Sequence, residues 1–358
     1  MSILHTPFSL KSVTIRNRVG VSPMCMFNAQ DGLASDWHLA HYGARAIGGA
    51  GLIIVEATAV EARGRITAND LGIWSDAHVE PLARINRFIK AQGTVPGMQI
   101  AHAGRKGSIS TAQNGGQLAA NEPGGWEIIG PSAVAFGGAL GQVPREMTIE
   151  DIRAVQDAFF AAAKRALAAG VEWLEIHAAH GYLAHSFYSP LGNRRADNYG
   201  GVFENRIRFL METVAGVRAV WPETLPLTVR ISATDWADER GGWTLEDSVA
   251  LAKRLKAAGI DLVDTSTGGG APDAKIPVAP GYQVPFAERI RREAGIATAA
   301  VGLITDAAQA EEILREGRAD IVLIGRESLR DPNWPQRAAR ELGADVKAFA
   351  PGQYARAW

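Results

Sequence analysis

Eight short apolar runs rich in branched residues punctuate the chain, at 18–24, 52–60, 95–102, 171–177, 225–232, 262–267, 298–304 and 319–326. Near-continuous apolarity, rather than strict alternation, marks a strand buried on both faces, so each run predicts a strand of a parallel sheet. Longer amphipathic stretches lie between them and predict helices, among them 151–169, 204–220, 245–258 and 306–316. Thr148 with Asp151 three residues on, Thr244 with Asp247, and Thr305 read as N-caps, while Gly170, Gly259 and Gly317 read as helix stops. Eight β/α units close as a (β/α)8 TIM barrel or stay open as a doubly wound sheet. The barrel is favoured, because eight near-equal repeats suit it and no strand-linked GxGxxG signals a dinucleotide fold.

One domain over residues 1–358 is expected, with a hairpin at 8–16 (FSLKSVTIR) capping the far end of the barrel. The surplus length falls in two excursions, 103–147 after the third strand and 178–203 after the fourth. Both leave strand C-terminal ends, the face where barrel active sites are built.

Composition narrows the function. With 37 Lys+Arg against 38 Asp+Glu among 358 residues, the chain carries no basic stripe for nucleic acid. No apolar stretch is long enough to span a membrane, and the N-terminal MSILHTPFSLKS lacks the basic and apolar regions of a signal peptide. The single cysteine, Cys25, excludes a disulfide framework, a CxxC zinc site and an iron–sulfur cluster, and fits a cytoplasmic protein.

If the barrel is right, one mouth gathers residues 22–25, 56–58, Gln99, His102, His177, His180, Arg230, Gly302, Gly325 and Arg326. The pair His177 and His180 can bind a metal, serve structure alone, or hydrogen-bond a carbonyl or phenolate oxygen. The segment HAAHGY offers neither a third ligand nor a carboxylate base, which favours the oxygen-binding reading. Tyr182, two residues on, is a weak acid suited to protonating a carbanion-like centre, or else a packing residue. Gly302 and Gly325 end the last two strands, where barrels commonly hold a phosphate, and Arg326 can neutralise it; the plain alternative is two tight turns. Gln99 and Arg230 are costly to bury without partners. A flavin ring supplies them, with donors and acceptors for the amide and a developing negative charge for the guanidinium, although an internal ion pair would also satisfy Arg230.

At this point the chain resembles a known family. SPMC (22–25), DLGIWSDAH (70–78), QIAHAGRK (99–106), EIHAAHGYLAHSF (175–187), RADNYGGVFENRIRF (195–209), GYQVPFAE (281–288) and the final QYARAW (353–358) resemble Old Yellow Enzyme family ene-reductases, closest to the xenobiotic-reductase or thermophilic-like branch. The resemblance implies noncovalently bound FMN, reduced by NADPH or NADH, that passes hydride to the β-carbon of an activated alkene of an α,β-unsaturated carbonyl compound, with xenobiotic or nitro compounds as further acceptors. It places Ser22, Pro23, Met24, Ala57, Gln99, Arg230, Gly302, Gly325 and Arg326 against the flavin and Cys25 beside it. It places His177 and His180 on the substrate oxygen and Tyr182 as the proton donor. It further implies a homodimer or homotetramer in which the tail, 343–358, contacts a partner subunit and Arg356 reaches the partner's substrate pocket.

Two departures stand out. Phe27 replaces a substrate-touching tyrosine, which shifts the expected preference toward less polar alkenes, and Val202 replaces a small residue in the YGG loop. Rival readings are a larger flavin barrel of the dienoyl-CoA or trimethylamine type, which would carry cysteine clusters, a flavin-free isomerase or aldolase with Glu56 as base, and a flavin store without catalysis.

Overall fold

The computed structural model describes residues 2–111 and 115–357. Eight parallel strands close a barrel in chain order: β1 (Val19–Val21), β2 (Leu52–Ala59), β3 (Val95–Ala101), β4 (Trp173–Ala178), β5 (Leu227–Ser232), β6 (Leu262–Ser266), β7 (Ala297–Ala300) and β8 (Ile321–Ile324). All eight predicted strands are present, because branched apolar residues tolerate burial on both faces of a pleated strand. The ring is closed by β8 against β1, with Leu323 opposite Gly20 and Ile324 opposite Val21.

The larger helices pack outside. The helix Ile149–Ala168 starts on a reciprocal capping box of Thr148 and Asp151, and Leu245–Ala257 starts on the same device in Thr244 and Asp247. Thr305 does not cap the next helix, Ala307–Arg315: Asp306 does, its carboxylate accepting the amides of Ala308 and Gln309. An Asp one residue nearer reaches both orphan donors at once. The expected helix 204–220 divides at Ile207 into Phe203–Arg206 and Arg208–Val220. Gly170, Gly259 and Gly317 stop their helices at φ of 79°, 86° and 68°.

The hairpin of Phe8–Leu10 and Val13–Ile15 plugs the N-terminal end, where Val13 and Ile15 join one apolar cluster with Leu52, Val95, Trp173, Leu262 and Ile321 at the strand starts. That end is therefore sealed, and the open mouth lies at the strand C-termini. The excursion after β3 pairs Ile129–Gly130 with Arg145–Glu146, and the one after β4 carries the short buried helix Leu183–Tyr188. No helix of the described residues is long and apolar enough to cross a membrane.

Candidate active site

The strands do not all end alike, and their differences shape the mouth. Between β2 and β3 the register runs Val55 to Met98 and then Thr58 to Ile100, so Glu56 and Ala57 together face Gln99. Such a bulge re-aims side chains. Ala57 lines a small hollow of about 10 Å³ with Ile66, Asp70, Ala101 and Tyr182. Glu56 instead accepts the Tyr42 hydroxyl at 2.9 Å and the Met26 amide at 2.8 Å. Burial pushes its carboxyl up to about 7, against those hydrogen bonds. Glu56 lines neither cavity and anchors the segment that follows Cys25, which is not the setting of an aldolase base. Cys25 is half-buried, and burial, then the charges of Asp70 and Glu56, push its thiol well above the ordinary value.

A cavity of about 250 Å³ opens across the seam of β7, β8 and β1. Eight of the residues singled out from sequence line it: Ser22, Pro23, Met24, His180, Arg230, Gly302, Gly325 and Arg326. A Cβ added at Gly325 would meet only Met24 Sδ, at 3.9 Å, so the glycine keeps the floor of the cavity open. Ser266, Tyr282, Gln283 and Arg330 also line it and were not anticipated. Arg330 sits four residues past Arg326 on the same short helix, a spacing that was available as a signal.

Beneath the cavity lies a buried charged layer. Arg230 places Nε 3.2 Å from Asp264 Oδ2 and donates to Ser22 Oγ at 3.2 Å. The internal ion pair and the cavity-facing position thus occur together. Gln99 is not brought into the cavity: its amide donates to Glu175 Oε1 at 2.7 Å. Glu175 is pushed up by burial and by the Asp264 charge, and Asp264 by burial against the pull of Arg230.

On one side of the cavity stand the two histidines and the tyrosine. The His177 ring lies 5.3 Å from that of His180 and 5.0 Å from that of Tyr182. His177 Nδ1 accepts the Ala179 amide at 3.1 Å, so its proton resides on Nε2. His180 Nε2 lies 2.7 Å from Ser266 Oγ, whose hydroxyl donates onward to Gln283 Oε1 at 3.2 Å. The His180 proton is therefore on Nε2, resting on Ser266. Burial, reinforced by Arg230, drives both imidazoles well below 6.5 and keeps them neutral. Burial also pushes the Tyr182 hydroxyl far above its usual value. Lys106, pushed down to about 8 by burial and then by Arg105, holds Nζ 5.1 Å from the Tyr182 ring centroid.

Other expected members sit apart. Phe27 is 44% exposed at a φ of 52°, and His102 pairs with Glu61 at 2.8 Å. Arg356 is exposed on the terminal turn Gly352–Ala357 and lines neither cavity, and Trp358 lies outside the described residues. Among the described residues no group of three or more His, Cys, Asp or Glu side chains is placed to hold a metal.

A parallel barrel whose mouth joins a glycine-floored basic cavity to neutral imidazoles and a high-pKa tyrosine defines a barrel oxidoreductase that carries a phosphorylated redox cofactor. The sequence model described as the NADH:flavin oxidoreductase / NADH oxidase family matches residues 3–345, and the chain belongs to that family, the FMN-dependent oxidoreductases of the Old Yellow Enzyme group. It is 52% identical to an NADPH dehydrogenase of Geobacillus sp. (strain WCH70), over 100% of this chain and 99% of that protein. To the NADPH dehydrogenase of Bacillus subtilis (strain 168) it is 48% identical, over 99% of each. Among solved structures, morphinone reductase superposes with a TM-score of 0.80 at 28% identity, covering 98% of this chain and 94% of that one. 2-Naphthoyl-CoA reductase gives 0.85 at 26% identity over 95% of this chain, which spans 52% of that longer protein.

The residues present fit FMN. Arg230 reaches the cavity while ion-paired to Asp264 behind it, Gly325 leaves open room, and Arg326 supplies positive charge along the same cavity, where Arg330 is paired with Glu327.

Proposed function

We propose that the enzyme is an NADPH-dependent ene-reductase acting on activated C=C bonds of α,β-unsaturated carbonyl compounds. The observation that carries this reading is the juxtaposition of His177, His180 and Tyr182 beside the basic cavity. FMN, when bound, supplies the two-electron chemistry, accepting hydride from NADPH and donating it to the alkene. Ser22, Pro23, Met24, Gly302, Gly325 and Arg326 would hold it along the seam, Arg230 would compensate negative charge on its ring, Ala57 and Cys25 would border it, and Gln99 would reach it by giving up its hydrogen bond to Glu175.

His177 offers Nε2–H to the substrate carbonyl oxygen. His180 exchanges its bond to Ser266 Oγ for one to the same oxygen, and this exchange favours the reaction because a hydrogen bond to a developing oxyanion is stronger than one to a neutral hydroxyl. Neutral rings suit the task, since each donates without surrendering its proton. Tyr182 holds a proton at its hydroxyl and gives it to the α-carbon; a strongly raised pKa keeps it protonated until a strongly basic centre forms. The chain acts in the cytoplasm as a homo-oligomer whose tail places Arg356 at a partner's pocket.

The test is anaerobic. NADPH bleaches the flavin absorbance of the holoenzyme, and 2-cyclohexenone restores it with saturated ketone as product. Bleached flavin that the enone leaves unchanged would overturn the reading.

A further inference from the structure

The motif HAAHGYLAHSF contains a third histidine, His185, to which the reaction assigns no work. It is wholly buried, as is Asp235, which lies 50 positions further along the chain. Gly181 donates its amide to His185 Nδ1 at 2.7 Å, so the imidazole proton resides on Nε2, 3.0 Å from Asp235 Oδ1. The other carboxylate oxygen accepts the Ser189 hydroxyl at 2.6 Å and the Trp243 amide at 2.9 Å. Burial would raise the Asp235 pKa, yet His185, Ser189 and the Trp243 amide outweigh it and the carboxylate stays ionised.

The amide so held belongs to a costly stretch of backbone. His180 and Gly181 have φ of 59° and 75°, the left-handed region that a histidine seldom occupies. No side chain fits at Gly181, where a Cβ would come within 2.0 Å of the Gly269 carbonyl oxygen. Such a conformation persists only where its surroundings impose it. Four side chains do so: Ser232 Oγ accepts the His180 amide at 2.9 Å, Lys106 donates to the His180 carbonyl at 2.7 Å, His185 takes the Gly181 amide, and Ser186 Oγ donates to the Gly181 carbonyl at 2.9 Å. The first two grip His180 itself. Lys106 and His185 hold the two ends of the peptide that joins His180 to Gly181, Lys106 at its carbonyl and His185 at its amide.

We propose that Asp235 and His185 form a buried positioning pair that fixes the Gly181 amide, and through it the left-handed turn that presents His180 and Tyr182 together to the substrate. Asp235 selects the tautomer: with the proton drawn to Nε2, Nδ1 must accept. The pair does not touch substrate. The proposal rests on the oxygen-binding role of His180 given above.

Variants of the FMN holoenzyme separate the two contacts. An Asn side chain places its carbonyl near the Nδ1 position and keeps an acceptor for Gly181, whereas Gln reaches the Nε2 position, keeping Asp235 and losing the amide. Titration of the flavin charge-transfer band with p-hydroxybenzaldehyde should show a dissociation constant raised about tenfold or more in His185→Gln and within about threefold of the parent in His185→Asn. Asp235→Asn should behave like His185→Gln, because an amide N–H facing Nε2 sends the proton to Nδ1 and sets donor against donor at Gly181. FMN affinity, read by flavin fluorescence, should stay within about twofold throughout. Amide hydrogen exchange of the peptide containing Gly181 should be faster in His185→Gln than in His185→Asn. Equal losses in the Asn and Gln variants, or unchanged binding and exchange in the Gln variant, would overturn the positioning role. A parent that binds no phenol while exchange still separates the variants would overturn the oxygen-binding role of His180 instead and leave the turn-fixing pair supported.

Discussion

Arg230 and Asp264 face each other in register on neighbouring strands, Nε 3.2 Å from Oδ2, with side chains 7% and 1% exposed. One guanidinium thereby serves a layer that also holds Glu175, and so few charges at such depth make the layer sensitive to any single deletion. Breaking a buried pair by removing one partner leaves a charge without compensation.

Arg230→Met should therefore cost about 3–5 kcal/mol of stability at pH 7, where Asp264 is left unpaired, and should abolish retention of FMN. Urea unfolding of the apoprotein measures the first effect and the flavin absorbance of the purified protein the second. A loss under about 1 kcal/mol would show that Asp264 is neutralised by other means.

Tyr182→Phe should leave FMN and phenol binding intact while slowing the oxidative half-reaction by about 10²-fold or more, the usual worth of a positioned proton donor. Stopped-flow reoxidation by 2-cyclohexenone reads it. An unchanged rate would assign the proton to water and leave Tyr182 a packing role against His177.

Replacing His177 and His180 together by Ala should weaken phenol binding by two hydrogen bonds to a charged oxygen, each about 1.5–3 kcal/mol. The loss should change little between pH 6 and 8, because burial and Arg230 hold both rings neutral over that range. An unchanged dissociation constant would remove the pair from the oxygen site, and a steep pH dependence would contradict their neutrality.

Glu56 gives a pH signature. Its carboxyl is pushed up from 4.5 to about 7 by burial, so the native state holds the extra proton between those values. The stability it contributes is present below about pH 4.5 and is lost as pH rises through about 7. Glu56→Gln should flatten that descent by roughly 2–3 kcal/mol, measured by urea unfolding at the two ends of the window. Parallel curves for parent and variant would show that the carboxyl titrates normally.

The eight strands and most caps were legible in the sequence because they follow from local pattern: buried branched runs, Thr148 with Asp151, Thr244 with Asp247. So were the eight cavity residues, since strand-end position and residue type identify them without knowledge of partners. Pairings were not legible. Glu175 in β4 reads only as one polar residue in an apolar strand, and nothing near it in sequence shows that Gln99 would turn toward it. Ser266 and Gln283 were missed for the same reason: a serine and a glutamine acquire meaning from the His180 ring that meets them. Thr305 failed as a cap because Asp306 beside it is the better acceptor.

Deleting residues 353–358 should raise the Michaelis constant for enones and loosen self-association together. The tail carries Tyr354, 48% exposed, and an exposed Arg356 on one short turn, residue types enriched at interface centres. Enone kinetics combined with sedimentation velocity test it. A truncated protein with the parent's kinetics and sedimentation would place the tail outside any shared site.

The seam between β1 and β8 makes the cavity across it one of the last things the chain can finish. Ser22, Pro23 and Met24 leave the ribosome early, but the residues opposite them across the cavity, Gly325, Arg326 and Arg330, are among the latest to be made. A nascent chain thus has one wall of this cavity long before the other. A ligand bridging that seam binds only the closed ring and weights the equilibrium toward it. On the flavin placement proposed above, the cofactor would act as a clasp between the first-made and last-made walls of the ring.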